Sequence, residues 1–102
     1  MEEYLQNIER LSQNTDCVFR EEEDGAFLFD PESGNLKFIN GMGVNIYQLC
    51  DGNMTVGDIT SLVSENYKDI SGKKIEDDVK IFLQELVKME FLKKEEAGND
   101  GK

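Results

Sequence analysis

Apolar residues in the first half of the chain alternate over short runs that are separated by turn residues. The predicted strands are Cys17–Glu23, Ala26–Asp30 and Leu36–Ile39. Asp24-Gly25 is a hairpin signal between the first two, and residues 31–35 form a second turn in which Gly34 can take a positive φ. Since residues 27–29 (Phe-Leu-Phe) are apolar on both faces, the second run should be the middle strand of an antiparallel meander.

From residue 40 onward the apolar spacing changes to three and four, which predicts helices. Asn40 is the expected N-cap of a first helix that Asp51-Gly52 closes. Thr55 and Asp58 have the spacing of a capping box and open a second helix. After a polar loop over Asp69–Lys74, residues 75–90 give the longest periodic run, and they should form the third helix.

The sequence also allows predictions for the two ends of the chain. Tyr4, Leu5, Ile8 and Leu11 share one helical face, so residues 1–16 are predicted to be an amphipathic helical extension. Residues 17–92 should form one domain, in which the segment after the third helix packs back on the core. Residues 93–102 are charged and small, which predicts a disordered tail.

A three-stranded meander followed by three helices, with an additional N-terminal helix, indicates an α+β domain with helices on one face of a small sheet. The second and third helices, joined by a short loop, resemble a winged helix-turn-helix unit. Such a unit often binds DNA. Here, however, the candidate recognition helix at residues 75–90 carries more acids than lysines, whereas base edges call for basic or amide side chains.

Charge narrows the range of partners. The 102 residues include 22 acids against 11 basic residues, for a net charge of −11. A field of this sign repels phosphate backbones, so nucleic acid is not an expected partner. The charged start (Met1-Glu2-Glu3) has no apolar h-region, and no apolar run is long enough to span a bilayer. The expected location is therefore the cytoplasm, without membrane contact.

The sequence offers no constellation for catalysis. It contains no histidine, and Cys17 and Cys50 are too few for a zinc site and are expected to be buried free thiols. The run Glu21–Asp24 straddles a turn and reads as a solvated charge block. Asp77-Asp78 falls in the predicted first turn of the third helix, where the helix dipole favours anions. We therefore expect no metal, no cofactor and no enzymatic activity.

What the predicted fold does offer is a free sheet edge. The third strand runs directly into the first helix, so its outer edge should present unpaired amide and carbonyl groups. An extended peptide can add to such an edge as a further strand. The third helix would form the other wall of the groove, with Ile81 well outside its core-facing sector.

The order and spacing of short signals over residues 17–92 also resemble a known family. They include Phe27-Leu28-Phe29, Gly34-Asn35-Leu36, Ile39-Asn40, Gly43, Ile46-Tyr47-Gln48-Leu49, Asp51-Gly52, Thr55-Val56, Asp78-Val79 and Phe82-Leu83. This pattern is similar to the PqqD family, the stand-alone recognition element for ribosomally synthesised and post-translationally modified peptides (RiPPs). The sequence departs from the family's usual residues at Met42 and Tyr47.

The resemblance implies a function and a site. Such domains bind the leader segment of a precursor peptide as an extra strand, and present it to a modifying enzyme, often a radical SAM maturase. Carried over by position, the peptide-binding residues are Leu36, Lys37, Phe38 and Ile39 on the third strand, with Asp78, Ile81, Phe82 and Glu85 on the third helix.

Three other functions stay open at this point. The main alternative is an acidic winged-helix interaction or regulatory subunit with no leader-peptide role. A small enzyme that uses paired carboxylates and a transcription factor are further alternatives. The absence of catalytic groups counts against the enzyme, and the net charge counts against the transcription factor.

Overall fold

Three helices and two three-stranded antiparallel sheets make up the computed structural model, which describes residues 5–95. The strands are β1 (Arg10–Gln13), β2 (Val18–Glu22), β3 (Gly25–Phe29), β4 (Leu36–Asn40), β5 (Asp51–Thr55) and β6 (Leu92–Lys94). The helices are α1 (Gly41–Leu49), α2 (Val56–Asn66) and α3 (Gly72–Lys88). One sheet has the order β2-β3-β4 and the other β5-β1-β6. The α+β prediction is confirmed, whereas the winged-helix comparison stays a prediction.

The predicted meander is present, with β3 as its middle strand. Its inner face packs into the core, where Ala26, Leu28 and Ile39 are buried. The turn into β4 is held by the buried Asp30, whose carboxylate accepts hydrogen bonds from the Ser33 hydroxyl at 2.8 Å and the Glu32 amide at 3.0 Å. These contacts fix the register in which β4 returns along β3.

The helix starts that capping chemistry predicts are also present. Asn40 caps α1 by accepting from the Gly43 amide at 2.9 Å, and Thr55 and Asp58 form the reciprocal capping box of α2. The segment after α1 differs from expectation. Asp51-Gly52 does not simply close the helix but begins β5, where Gly52 has a φ of +89° that suits a residue without a Cβ.

Helix α3 begins earlier than the apolar period indicated. Ser71 caps it by accepting from the Lys74 amide at 3.2 Å, so the predicted loop over Asp69–Lys74 is too long. Asp77 and Asp78 consequently lie in the second turn, where they pair with lysines four residues earlier, and the dipole argument for them is wrong. The polar first turn contains no core-facing residue before Ile75, which is why apolar spacing missed it.

The predicted N-terminal helix is wrong for the described residues. Residues 10–13 form β1, the centre of the second sheet, with β5 on one side and β6 on the other. Leu5 and Leu11 are buried, but Ile8 is 75% exposed, so they do not share one buried helical face. Long-range pairing and burial of Leu11 prevail over local helical spacing, since so short a helix is marginal by itself. Tyr4 lies outside the described residues.

The C-terminal segment returns to the core as expected. Phe91 and Leu92 are fully or almost fully buried, and Leu92 begins β6. The predicted tail therefore starts too early, since Lys93 and Lys94 pair with β1, and residues 96–102 lie outside the described part of the chain. Among residues 5–95, no helix has the length and apolar character needed to cross a membrane.

Candidate functional site

Strand β4 has a free edge that presents backbone groups to solvent. Among the described strands it pairs with β3 alone. The Asp30 amide donates to the Asn35 carbonyl at 2.9 Å, which makes residues 30 and 35 a hydrogen-bonded pair. Because such pairs alternate along an antiparallel ladder, the next ones are 28–37 and 26–39. The backbone groups of Leu36 and Phe38 therefore point away from β3, toward the free edge.

Helix α3 lies beside this edge and is tied to β4 by side chains. The Lys37 ammonium contacts the Glu85 carboxylate at 3.1 Å, and the Asn35 side-chain amide donates to the Met89 carbonyl at 3.1 Å. These contacts hold the start and middle of β4 against the C-terminal half of α3. We call the space between the free edge of β4 and α3 the β4–α3 groove.

The groove ends at a depression of about 180 Å³ where β4 turns into α1. The first turn of α1 provides one wall and Asp78, Val79 and Phe82 provide another. Gly43 allows this close approach, because a Cβ at that position would lie 3.1 Å from both the Phe82 ring and the Ile39 Cβ. The apolar lining and the neighbouring Asp78 suit a mixed apolar and polar peptide segment.

The eight sequence-predicted site residues fall into distinct positions. Lys37 and Glu85 face each other, and Asp78 and Phe82 line the end depression. Ile39 is buried in the core. The side chains of Leu36 and Phe38 lie on the opposite, outer face of the sheet and only their backbone faces the groove edge. Ile81 is 64% exposed and lines a second depression along α3 that includes Glu85 and Leu5.

The predicted peptide-binding set leaves out three residues that shape the groove: Asn35, Gly43 and Met89. Asn35 was assigned to a turn, and its contact with Met89 spans 54 positions, which no local pattern reveals. Gly43 carried a usable signal, since a glycine in the first turn of a helix lowers helix propensity and so indicates a steric need. That need is contact with the Phe82 ring.

Two of the three groups with raised pKa values, Tyr47 and Cys50, are buried in the core. Burial raises the pKa of the Cys50 thiol and of the Tyr47 hydroxyl to about 12 each. Cys17 is only partly buried, contrary to expectation, and burial together with nearby Asp30 raises the pKa of its thiol. Raised thiol pKa values oppose nucleophilic chemistry, since the thiolate is the reactive form. Within residues 5–95, no three His, Cys, Asp or Glu side chains are grouped to hold a metal ion.

Comparison with known families gives one match over most of the chain. The model of a family described as Coenzyme PQQ synthesis protein D (PqqD) matches residues 25–92. This range runs from β3 to the first residue of β6 and includes both walls of the β4–α3 groove. None of the curated proteins compared with the chain matches it.

Two solved structures with the same fold are complexes with a leader peptide. TbiB1 in complex with the TbiA(beta) leader peptide is 20% identical, covers 79% of this chain and 93% of its own, and has a TM-score of 0.69. A lasso peptide synthetase B1 complexed with the leader peptide is 16% identical, with coverages of 81% and 96% and a TM-score of 0.70.

A third structure with this fold was solved by solution NMR. It is the PqqD truncation of Methylobacterium extorquens PqqCD, described as a functional and stand-alone RiPP recognition element. It is 22% identical, covers 87% of this chain and 94% of its own, and has a TM-score of 0.69. At these identities the three structures establish the shared fold.

Proposed function

We propose, from the premise that the chain belongs to the PqqD family, that it binds the leader segment of a ribosomally synthesised precursor peptide by strand addition at β4. The observation that carries this proposal is the free edge of β4, with the backbone of Leu36 and Phe38 directed into a groove that α3 closes on the other side. Two of the structures with this fold are leader-peptide complexes, which supports the proposal.

Backbone pairing would provide affinity and the walls of the groove would provide selectivity. A guest strand beside β4 directs alternate side chains inward, toward Phe82, Asp78 and the Lys37–Glu85 pair. The ion pair spans the groove, so the guest either packs over it or replaces one of its partners. The half-exposed Glu85 is the group better placed to accept from a basic or hydroxyl side chain of the leader.

The modifying chemistry belongs, in this proposal, to an enzyme that receives the bound precursor, and a radical SAM maturase is the expected class. The complex would form in the cytoplasm, where the precursor is synthesised. The purified chain alone should then leave the mass of the precursor unchanged over hours, as checked by mass spectrometry. Turnover by the chain alone would contradict this division of roles.

A proline substitution at the free edge tests strand addition directly. Phe38→Pro removes an amide that faces the guest but leaves the hydrogen bonds between β3 and β4 in place, since proline is tolerated at a solvent-facing edge amide. Loss of one backbone hydrogen bond and the clash of the ring should weaken leader binding about tenfold or more relative to Phe38→Ala. Isothermal titration measures the difference. The ligand is a synthetic peptide with the leader sequence of a precursor whose gene lies beside the gene for this chain.

The opposite edge of the same sheet provides the matched control. By the same alternation, the Glu21 amide on β2 faces away from β3, so Glu21→Pro alters an equivalent edge position outside the groove. It should leave leader affinity unchanged. In NMR titration of the native chain, amide shifts should concentrate at residues 36–39 and 78–86. Equal leader affinity of Phe38→Pro and Phe38→Ala would rule out strand addition at β4.

A further inference from the structure

The sheet β2-β3-β4 is apolar on both faces, although only one face packs into the core. The side chains opposite the buried Ala26, Leu28 and Ile39 are Val18, Phe27, Phe29, Leu36 and Phe38, which we call the outer face. The strand registers place Val18 beside Phe29, Phe29 beside Leu36, and Phe27 beside Phe38. A sheet with one solvated face normally alternates apolar with polar residues, so this outer face needs an explanation.

The outer face is exposed to solvent and contains a depression. Val18 is 49% exposed, Leu36 59% and Phe38 45%, and a depression of about 340 Å³ lies between β2, β3 and the start of β4. Phe27 and Phe38 pack edge to face, with ring centroids 5.2 Å apart. The Arg20 guanidinium stacks 5.6 Å above the Phe27 ring, and its Nε contacts Glu22 at 2.7 Å, which neutralises its charge. A contiguous exposed apolar patch of this kind is typical of an interaction site.

The charges around the outer face select the class of partner. At one end of the outer face, the β2–β3 turn carries Glu23 and Asp24 and Glu22 lies on the face itself, and the whole chain has a net charge of −11. A second copy carries the same net charge of −11, which opposes self-association, and an anionic membrane or nucleic acid is repelled in the same way. A protein whose apolar patch is bordered by Lys and Arg is complementary in both respects.

The outer face is also continuous with the proposed peptide site. Leu36 and Phe38 contribute side chains to the outer face, while their backbone groups face the groove edge. A guest strand paired with β4 would place the side chains opposite these residues on the same outer face, since paired residues share a face. A partner seated here would therefore contact both the domain and the outward side chains of the bound peptide.

We infer that the outer face is the docking surface for the peptide-modifying enzyme, through an apolar patch on that enzyme bordered by basic side chains. This inference rests on the proposed function. It requires the enzyme to bind the leader-loaded chain more tightly than the free chain, and by reciprocity the leader to bind more tightly when the enzyme is present.

Substitutions on β2 and β3 test the inference without altering β4. Phe29→Lys places a cation in the apolar centre of the outer face, which a partner with a basic border disfavours. It should weaken binding of the purified peptide-modifying enzyme encoded beside the precursor by about tenfold or more, as expected for a central interface residue. Affinity for the synthetic leader alone should stay within twofold, because the groove is untouched. Val18→Lys provides the same test if thermal melting shows that Phe29→Lys does not fold.

The matched control is Leu62→Lys on α2, since Leu62 is 39% exposed and Phe29 is 38% exposed. It should leave both affinities unchanged. The folded Phe29→Lys chain could bind the enzyme as tightly as the native chain does and also bind the leader normally. That result overturns the docking surface but leaves the proposed function standing. Absence of leader binding in the native chain overturns the proposed function instead. Sedimentation that shows a native dimer lost in Phe29→Lys would assign the outer face to a second copy and also overturn the inference.

Discussion

The side chain and the backbone of Phe38 face two different surfaces of the protein. Its side chain lies on the outer face of the sheet, against Phe27, while its backbone faces the groove edge. A substitution that changes only the side chain therefore tests the outer face, whereas one that removes the amide tests strand addition. Sequence alternation indicated that these two directions differ but gave no sign of which face is buried.

Buried ionisable groups give a prediction at the residue scale. The pKa of Cys50 rises from 9.0 to about 12 because burial disfavours the thiolate. Between these values the unfolded chain loses a proton that the folded chain keeps, so the stability contributed by the neutral thiol is lost as the pH rises above 9. Tyr47, with a pKa raised from 10.0 to about 12, adds to the loss from pH 10.

Cys50→Ala isolates the thiol contribution. Its unfolding free energy should fall less steeply between pH 9.5 and 11 than that of the native chain, by about 1 to 1.3 kcal/mol per pH unit. Urea denaturation across this range, under reducing conditions, measures both slopes. Parallel slopes would show that the Cys50 thiol titrates normally in the folded chain.

At the scale of elements, the meander, α1, α2 and the body of α3 follow from the sequence. Each carries a local signal: a turn pair, a cap or an apolar period. The sheet β5-β1-β6 has no such local signal in the sequence. β5 contains Gly52 at positive φ and β6 has three residues, so neither shows alternation, and β1 contains a single fully buried residue, Leu11. Such a sheet forms because distant segments meet over the core, which local patterns do not encode.

The identity of β1 as a strand predicts unequal effects of two similar truncations. Leu11→Ala should lower the unfolding free energy by about 2–5 kcal/mol, because Leu11 is fully buried. Ile8→Ala should change it by about 0.5 kcal/mol or less, because Ile8 is 75% exposed. Denaturant melts with unchanged m-values provide the comparison, and similar losses would restore the helical alternative.

The contact between α1 and α3 predicts how the groove responds to a single methyl group. Gly43→Ala places a Cβ 3.1 Å from the Phe82 ring and should push that ring into the groove. Leader affinity should fall about fivefold, as for overpacking of about 1 kcal/mol. Gly41→Ala is the control in the same helical turn, since nothing lies within 4 Å of its added Cβ. Equal titration curves for the two variants would mean that Phe82 does not line the bound peptide.

At the scale of the whole molecule, the net charge and the neighbouring strand and helix were predictable from the sequence, but the outer face was not. The net charge of −11 argued against nucleic acid as a partner before any fold was known. The strand and the helix of the predicted site are neighbours, as the Lys37–Glu85 contact shows. The outer face was not predicted, because the apolar residues of β2, β3 and β4 become one patch only when the register between strands is known.

The pairing of β1 with β6 bears on whether this fold can be inserted into another protein or circularly permuted. The Glu95 amide donates to the Arg10 carbonyl at 2.8 Å, so the start of β1 adjoins the end of β6. A unit whose first and last strands adjoin suits insertion into a surface loop of a host protein, because the flanking segments of that loop stay close together. The same pairing keeps β1 beside β6 in a circular permutant whose new start lies in the exposed β2–β3 turn, outside the β5-β1-β6 sheet.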